Sequence, residues 1–309
     1  MLQVTLDIFS GRPNPSWVLD EAEAKEVLKE IANNRGIVAE VNSGYQGLGY
    51  RGIELELISD DTAEQYSLPS LFKIANGASL YESKSLEIAE RLINGMSNAM
   101  LRASGSEDSF GEFGEDLQRQ LLERLGTFPR VETTDVPDSM GESGVLSQDE
   151  AAKVQVTCYI ERSPFNPGFW NDPAYIRRNN CYNYAANRRT NTFAQPGRAT
   201  GRYPYPMDCG AVTAAAMSDG ARRRFDCLPD SEKSRYLIAL VVAPGVDYHW
   251  YRLHSEGFWG HKPGGTAARN TDNKGVVIAN PETCDRTSGW PSYTNFCGYF
   301  YRPNSIRVN

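Results

Sequence analysis

The feature that most constrains this chain is a break in its middle. Residues 104–150 hold 12 acidic residues against 3 basic ones, in clusters such as SGSEDS and VPDSMGESG that carry too little apolar surface to offset the entropy of ordering. One segment there, GEDLQRQLLERL, has helical spacing. A stretch of this composition does not run through a core, so the spacing predicts an N-terminal module over residues 1–103, an acidic, partly ordered connector over 104–150, and a second module over 151–309. A chain of 309 residues is long enough for two such units, each with its own core.

The two halves differ in charge and in cysteine content. Residues 1–150 carry 12 Lys and Arg against 27 Asp and Glu, a balance of −15, and residues 151–309 carry 20 against 12, a balance of +8. The sequence therefore allows the acidic module to dock on the basic one. All six cysteines (158, 181, 209, 227, 284 and 297) lie in the second half. The start, MLQVTLDIFSGRPNP, lacks the basic flank and apolar stretch of a signal peptide, which sets a cytoplasmic default with reduced thiols, or export by a non-classical route with one or two disulfides. No run of about 18 apolar residues is present, so no membrane span is expected.

Local patterns predict α+β architecture. LQVTLDIFS alternates apolar residues on one face and reads as a strand, and DEAEAKEVLKEIANN reads as an amphipathic helix with acidic residues at its start. GIVAEV, YRGIELELI and FKIANGASLYES read as strands, and SLEIAERLINGMSNAMLRA as a helix. In the second half, VQVTCYI reads as a strand, AYIRRNNCYNYAANRR as a helix, Cys209 to about Arg224 as an Ala-rich helix, and YLIALVVA as a strand. GLGYRG at residues 47–52 matches a dinucleotide fingerprint in letters only, because the following IELELI is a strand and not a helix.

Three histidines, His249, His254 and His261, are the only ones present and fall within thirteen residues. A hairpin with His254-Ser255-Glu256 as its loop would set His249 opposite His261, close enough for one imidazole to orient the other. His254 would then lie exposed at the tip. Cys181 sits at an expected helix start near Arg177, Arg178, Arg188 and Arg189, which suits a nucleophilic thiol. Cys209, in MDCGAV, is the rival nucleophile.

A helix-start cysteine, a strand histidine and a second histidine twelve positions later resemble the NlpC/P60 branch of papain-like peptidases. The resemblance covers about residues 155–300, and NCYNYA replaces the family's usual run around the cysteine. It implies a papain-like second module that hydrolyses an amide bond in a peptide or peptidoglycan-like substrate through an acyl-enzyme. Cys181 would attack, His249 would accept its proton and His261 would orient His249. Asn183 or Gln195 would help hold the oxyanion, Asp247 would tune His249, and Asp272 and Asn280 are alternative third members.

Other chemistries are less well supported. HExxH and short-spaced cysteine pairs are absent, so neither metal nor cofactor is expected. NTDNKGVV at 270–277 reads as a hairpin turn and not a calcium loop. The basic residues are scattered and match no nucleic-acid motif. The reading from a different class is a non-enzymatic secreted or particle-associated protein, with paired cysteines and aromatic loops that serve assembly.

Overall fold

Alternation along the first strand decides the layout of the N-terminal half. In a computed structural model that describes residues 1–58, 60–79, 82–104, 111–127, 158–224 and 226–309, β1 (Leu2–Leu6) buries Leu2, Val4 and Leu6 on one face and leaves Gln3 and Thr5 half-buried on the other. β2 (Ser16–Leu19), β3 (Ile53–Leu57) and β4 (Leu71–Ile74) complete an antiparallel sheet in the order β2-β1-β3-β4. Helix α1 (Glu21–Asn33) is capped by Asp20, whose side chain accepts from the Glu23 amide. It turns Ala24, Val27, Leu28 and Ile31 into the core, the i, i+3, i+4, i+7 stripe of an amphipathic helix. A short helix α2 (Asp60–Tyr66), absent from the sequence reading, precedes β4.

Helices α3 (Glu82–Ser104) and α4 (Gly111–Arg124) pack on each other, and Ile88, Leu92, Ile93, Leu117 and Leu121 join the same core. The expected strand GIVAEV is instead a 3-10 turn at Arg35–Ile37 followed by a single bridge from Ala39 to Lys73. Most of the expected connector, and residues 154–157 of the expected strand VQVTCYI, lie outside the described residues; Cys158–Ile160 are not strand.

The second half is built on a five-stranded antiparallel sheet. It comprises β5 (Arg222–Arg223), β6 (Tyr236–Ala243), β7 (Asp247–Leu253), β8 (Trp259–His261) and β9 (Asn295–Arg302), in the order β5-β9-β6-β7-β8. Both faces are covered, which explains why β6 reads YLIALVVA without polar alternation. One face (Ile238, Leu240, Val242, Tyr248, Trp250, Phe300) meets the short helix α6 (Cys181–Ala185) and α7 (Cys209–Asp219). The other (Ala239, Val241, Ala243, Tyr251, Trp259) meets Leu48, Ile278 and Tyr293. A further short helix, α5 (Pro167–Asn171), carries Trp170 against Tyr184. The fold is thus mixed α+β. The long helix expected over residues 174–189 reduces to a 3-10 turn at Ile176–Arg178 and α6.

The two sheets meet through polar chain. Asp247, wholly buried at the start of β7, accepts hydrogen bonds from the backbone amides of Ser10 (2.6 Å), Gly11 (3.2 Å) and Arg12 (2.9 Å), and from the Tyr293 hydroxyl (2.5 Å). Gly11 is required there, because a Cβ would lie 2.5 Å from the Tyr248 ring. Its carbonyl receives the side-chain amides of Asn180 (2.8 Å) and Gln195 (2.9 Å).

Candidate functional site

The histidine pair forms, by a different register from the one expected. The loop of the β7–β8 hairpin is Ser255-Glu256-Gly257, with Gly257 at φ +92°, and the His254 amide donates to the Phe258 carbonyl. Tyr251 therefore opposes His261, and Leu253 opposes Trp259. Moving the turn by one residue moves each partner by two, so His249 and His261 stay on one face as diagonal neighbours. Their rings meet with His249 Nε2 2.8 Å from His261 Nδ1.

Hydrogen-bond logic fixes the tautomers. His261 Nε2 lies 2.9 Å from the Thr271 carbonyl oxygen, which can only accept, so His261 carries its proton there. Its Nδ1 must then accept, and His249 donates from Nε2. That leaves His249 Nδ1 as a bare, buried lone pair with no partner among the described residues. Burial holds both rings neutral, with His261 pushed down to about 3 and His249 well below its ordinary value.

The thiol does not reach this pair. Cys181 begins α6 as expected, behind an Asn180 cap that accepts from the amides of Tyr182 and Asn183 while the Asn183 side chain accepts from the Asn180 amide. The helix, however, packs Cys181 into the apolar core that holds Tyr248 and Trp250. His249 lies between those two residues in β7 and points to the opposite face, with Tyr251 and Tyr293. A β-sheet separates nucleophile from base. Cys181 is wholly buried, and desolvation, with Asp247 adding to it, raises the thiol well above its ordinary pKa, the reverse of what a nucleophile needs.

The remaining expected participants are committed to structure. Cys209 is disulfide-bonded to Cys297, and Cys158 to Cys227, so the default of reduced thiols is corrected for four of the six cysteines. Asn183 donates to the Arg188 carbonyl and Thr190 Oγ1, and Gln195 Nε2 to the carbonyls of Gly11, Phe193 and Ala194. No amide donor of either is left for an oxyanion. Asp272 closes the turn at Asn273–Gly275, and Asn280 accepts from the Glu282 amide and the Tyr299 hydroxyl. His254 is buried, not exposed: it donates from Nδ1 to the Ser163 carbonyl and accepts at Nε2 from Tyr184 (2.6 Å), over Gly260, where a Cβ would lie 2.6 Å from that nitrogen.

A site that sequence reasoning missed lies on the other face of the first sheet. Thr5 opposes Glu54 across β1 and β3, and Glu54 opposes Lys73 across β3 and β4. With Asp7, just past β1, they form one wall of a cleft of about 420 Å³ whose other wall includes Asn171, Ile176, Arg177 and Phe193. Asp7 bonds Arg51 Nη2 (2.6 Å) and Lys73 Nζ (2.5 Å), and these two cations hold it far below the usual carboxylate range although burial opposes them. Glu54 is raised by burial, with Arg177 as its ion-pair partner. The signal was the polar parity of Gln3, Thr5, Glu54, Glu56 and Lys73, which alternate with apolar residues along their strands.

Comparison with known proteins points the same way as the geometry. No family model matches the chain, and no solved structure matches it; the papain-like resemblance, with its peptidase or amidase activity and its peptide or peptidoglycan-like substrate, is overturned by similarity to a shell matrix protein. Among the described residues no helix is long and apolar enough to cross a membrane. A curated relative from Ruditapes philippinarum, insoluble matrix shell protein 1, is 48% identical over 145 residues, which span 93% of that protein and 47% of this chain. The chain belongs to the family of that insoluble matrix shell protein.

Proposed function

We propose that this chain is a non-enzymatic structural component of an insoluble extracellular matrix. The observation that carries the reading is the 48% identity to insoluble matrix shell protein 1 across 93% of its length. Two disulfides support it, since paired cysteines suit an oxidising compartment. The chain is read as two modules, residues 1–103 and 151–309, joined by an acidic connector. Docking of the acidic module on the basic one is supported by the Arg177–Glu54 ion pair and by the amides of residues 10–12 on Asp247.

In this reading the polar groups of the second half are mechanical parts. The histidines, Asn180, Asn183 and Gln195 tie loops to strands where a small β-rich core alone would leave buried backbone groups unpaired. The test is extraction of the source tissue, with the chain followed by antibody. Retention in the residue after detergent and urea supports the reading, and full recovery in the first aqueous extract overturns it.

A further inference from the structure

The cleft on the first sheet is spanned by the Arg177–Glu54 ion pair, and the rest of its wall has unspent hydrogen-bonding capacity. Arg51, behind Asp7, is saturated: its nitrogens donate to Asp7 and to the carbonyls of Gly47, Gly49 and Phe9. Lys73 is not. Its ammonium is 1% exposed and bonds Asp7 alone among the described residues, so two of its three N–H lack an acceptor. For comparison, Lys262 is equally buried and places all three on carbonyls, those of Ile176, Asn179 and Gly264. A buried ammonium with spare donors beside a cleft is costly unless something supplies oxygen.

We infer that this cleft binds a neutral, hydroxyl-rich ligand of the saccharide class. Two carboxylates (Asp7, Glu54) face two cations (Lys73, Arg177) across the lining, and Arg51 behind Asp7 brings the excess to a single positive charge whose donors are already taken, so charge alone selects neither an anion nor a cation. Hydroxyl groups donate and accept at once, so they match a wall that alternates carboxylate, ammonium and amide. Phe193 supplies a ring on the opposite side. It is held at φ +51°, a region bulky residues seldom occupy. Strain of this kind concentrates where a side chain must be aimed.

An extended peptide is the less suitable occupant. Such ligands pair with a free strand edge, and the edge at β4 is closed by the bridge from Ala39 to Lys73. The volume of about 420 Å³ lies within the range of ligand sites.

The test uses the full, disulfide-bonded chain and titration calorimetry with soluble hexasaccharides of glucose, of mannose and of N-acetylglucosamine. A hexapeptide of serine and asparagine and inorganic sulfate serve as rival probes. At least one saccharide should bind, with affinity nearly independent of salt. Asn42→Trp, at an exposed position on the rim, should weaken binding at least tenfold without moving the unfolding midpoint, whereas Tyr205→Trp, on a loop 91% exposed at that residue and absent from the cleft lining, should leave it unchanged. Absence of saccharide binding, tighter binding of peptide or sulfate, or equal binding by Asn42→Trp overturns the inference. These soluble probes do not ask where the chain resides, so the cleft can fail while the matrix reading stands, and the reverse.

Discussion

Each histidine here has its protons placed by neighbours that give little scope for acid–base work, and the cost of charging it falls on stability. All three have folded pKa values lowered by burial: His261 to about 3, His254 to about 4, His249 well below the ordinary value. The unfolded chain therefore binds more protons below about pH 6.5. The histidine contribution to stability is complete above that value and is lost as pH falls toward about 3. Each histidine kept neutral should remove about 1.4 kcal/mol per pH unit in that window. Urea unfolding at pH 7 and pH 5, above the range in which Asp7 titrates, gives the net pH dependence, to which Glu54 and Asp219, raised by burial, contribute with the opposite sign. The double variant His249→Leu, His261→Leu should show a shallower pH dependence, whatever its absolute stability. An unchanged slope would mean that the pair is charged in the folded state. The thiols give a second prediction at this scale. Iodoacetamide at neutral pH should leave Cys181 unmodified in the native protein and label Cys181 and Cys284 once the chain is unfolded without reductant, as peptide masses would show. Rapid native labelling of Cys181 would contradict its burial.

At the scale of elements, legibility followed the range of the forces involved. The start of α6 was readable because Asn180 and Asn183 satisfy the helix amides locally. That His249 and His261 share a face was readable because strand parity survives a one-residue error in the turn. The turn itself was misplaced because Gly257, which takes the positive φ, ends the loop and does not follow it. The face on which Cys181 packs was not readable, since nothing in NCYNYA says which side of a distant strand it meets. Disulfide pairing was equally hidden, with partners 69 and 88 residues apart. The Cys209–Cys297 bond ties the start of α7 to β9, closing a long loop in the unfolded chain. Replacing both cysteines with alanine should cost about 4.6 kcal/mol by loop-closure entropy, seen as a lower urea midpoint with native circular dichroism retained. A loss below about 1 kcal/mol would place the staple's value elsewhere.

At the scale of the whole molecule, the question is whether two sheets with separate cores unfold as one body. The charge split of −15 and +8 sets only a long-range attraction, which salt screens over about 8–10 Å. The contacts that join the sheets are of another kind, buried and directional; Asn180 and Gln195 meet the Gly11 carbonyl and Leu48 enters the second core, and the densest set converges on Asp247. Its carboxylate takes three consecutive backbone amides from the segment after β1 and a hydroxyl from the loop before β9. Asn in its place would present an amide N–H₂ to these donors, at a cost of about 3 kcal/mol. Hydrogen exchange followed by mass spectrometry separates local from global effects. In the native chain, peptides from β1 and β3 and from β6 and β7 should exchange through one opening of common free energy. In Asp247→Asn the two sets should part, because each core is intact (Leu2, Leu55 and Ile93 in one, Leu240, Trp250 and Phe300 in the other) while their shared anchor is gone. If both sets shift together by the same amount, the sheets are coupled through a wider surface than this carboxylate, and the single-anchor account is wrong.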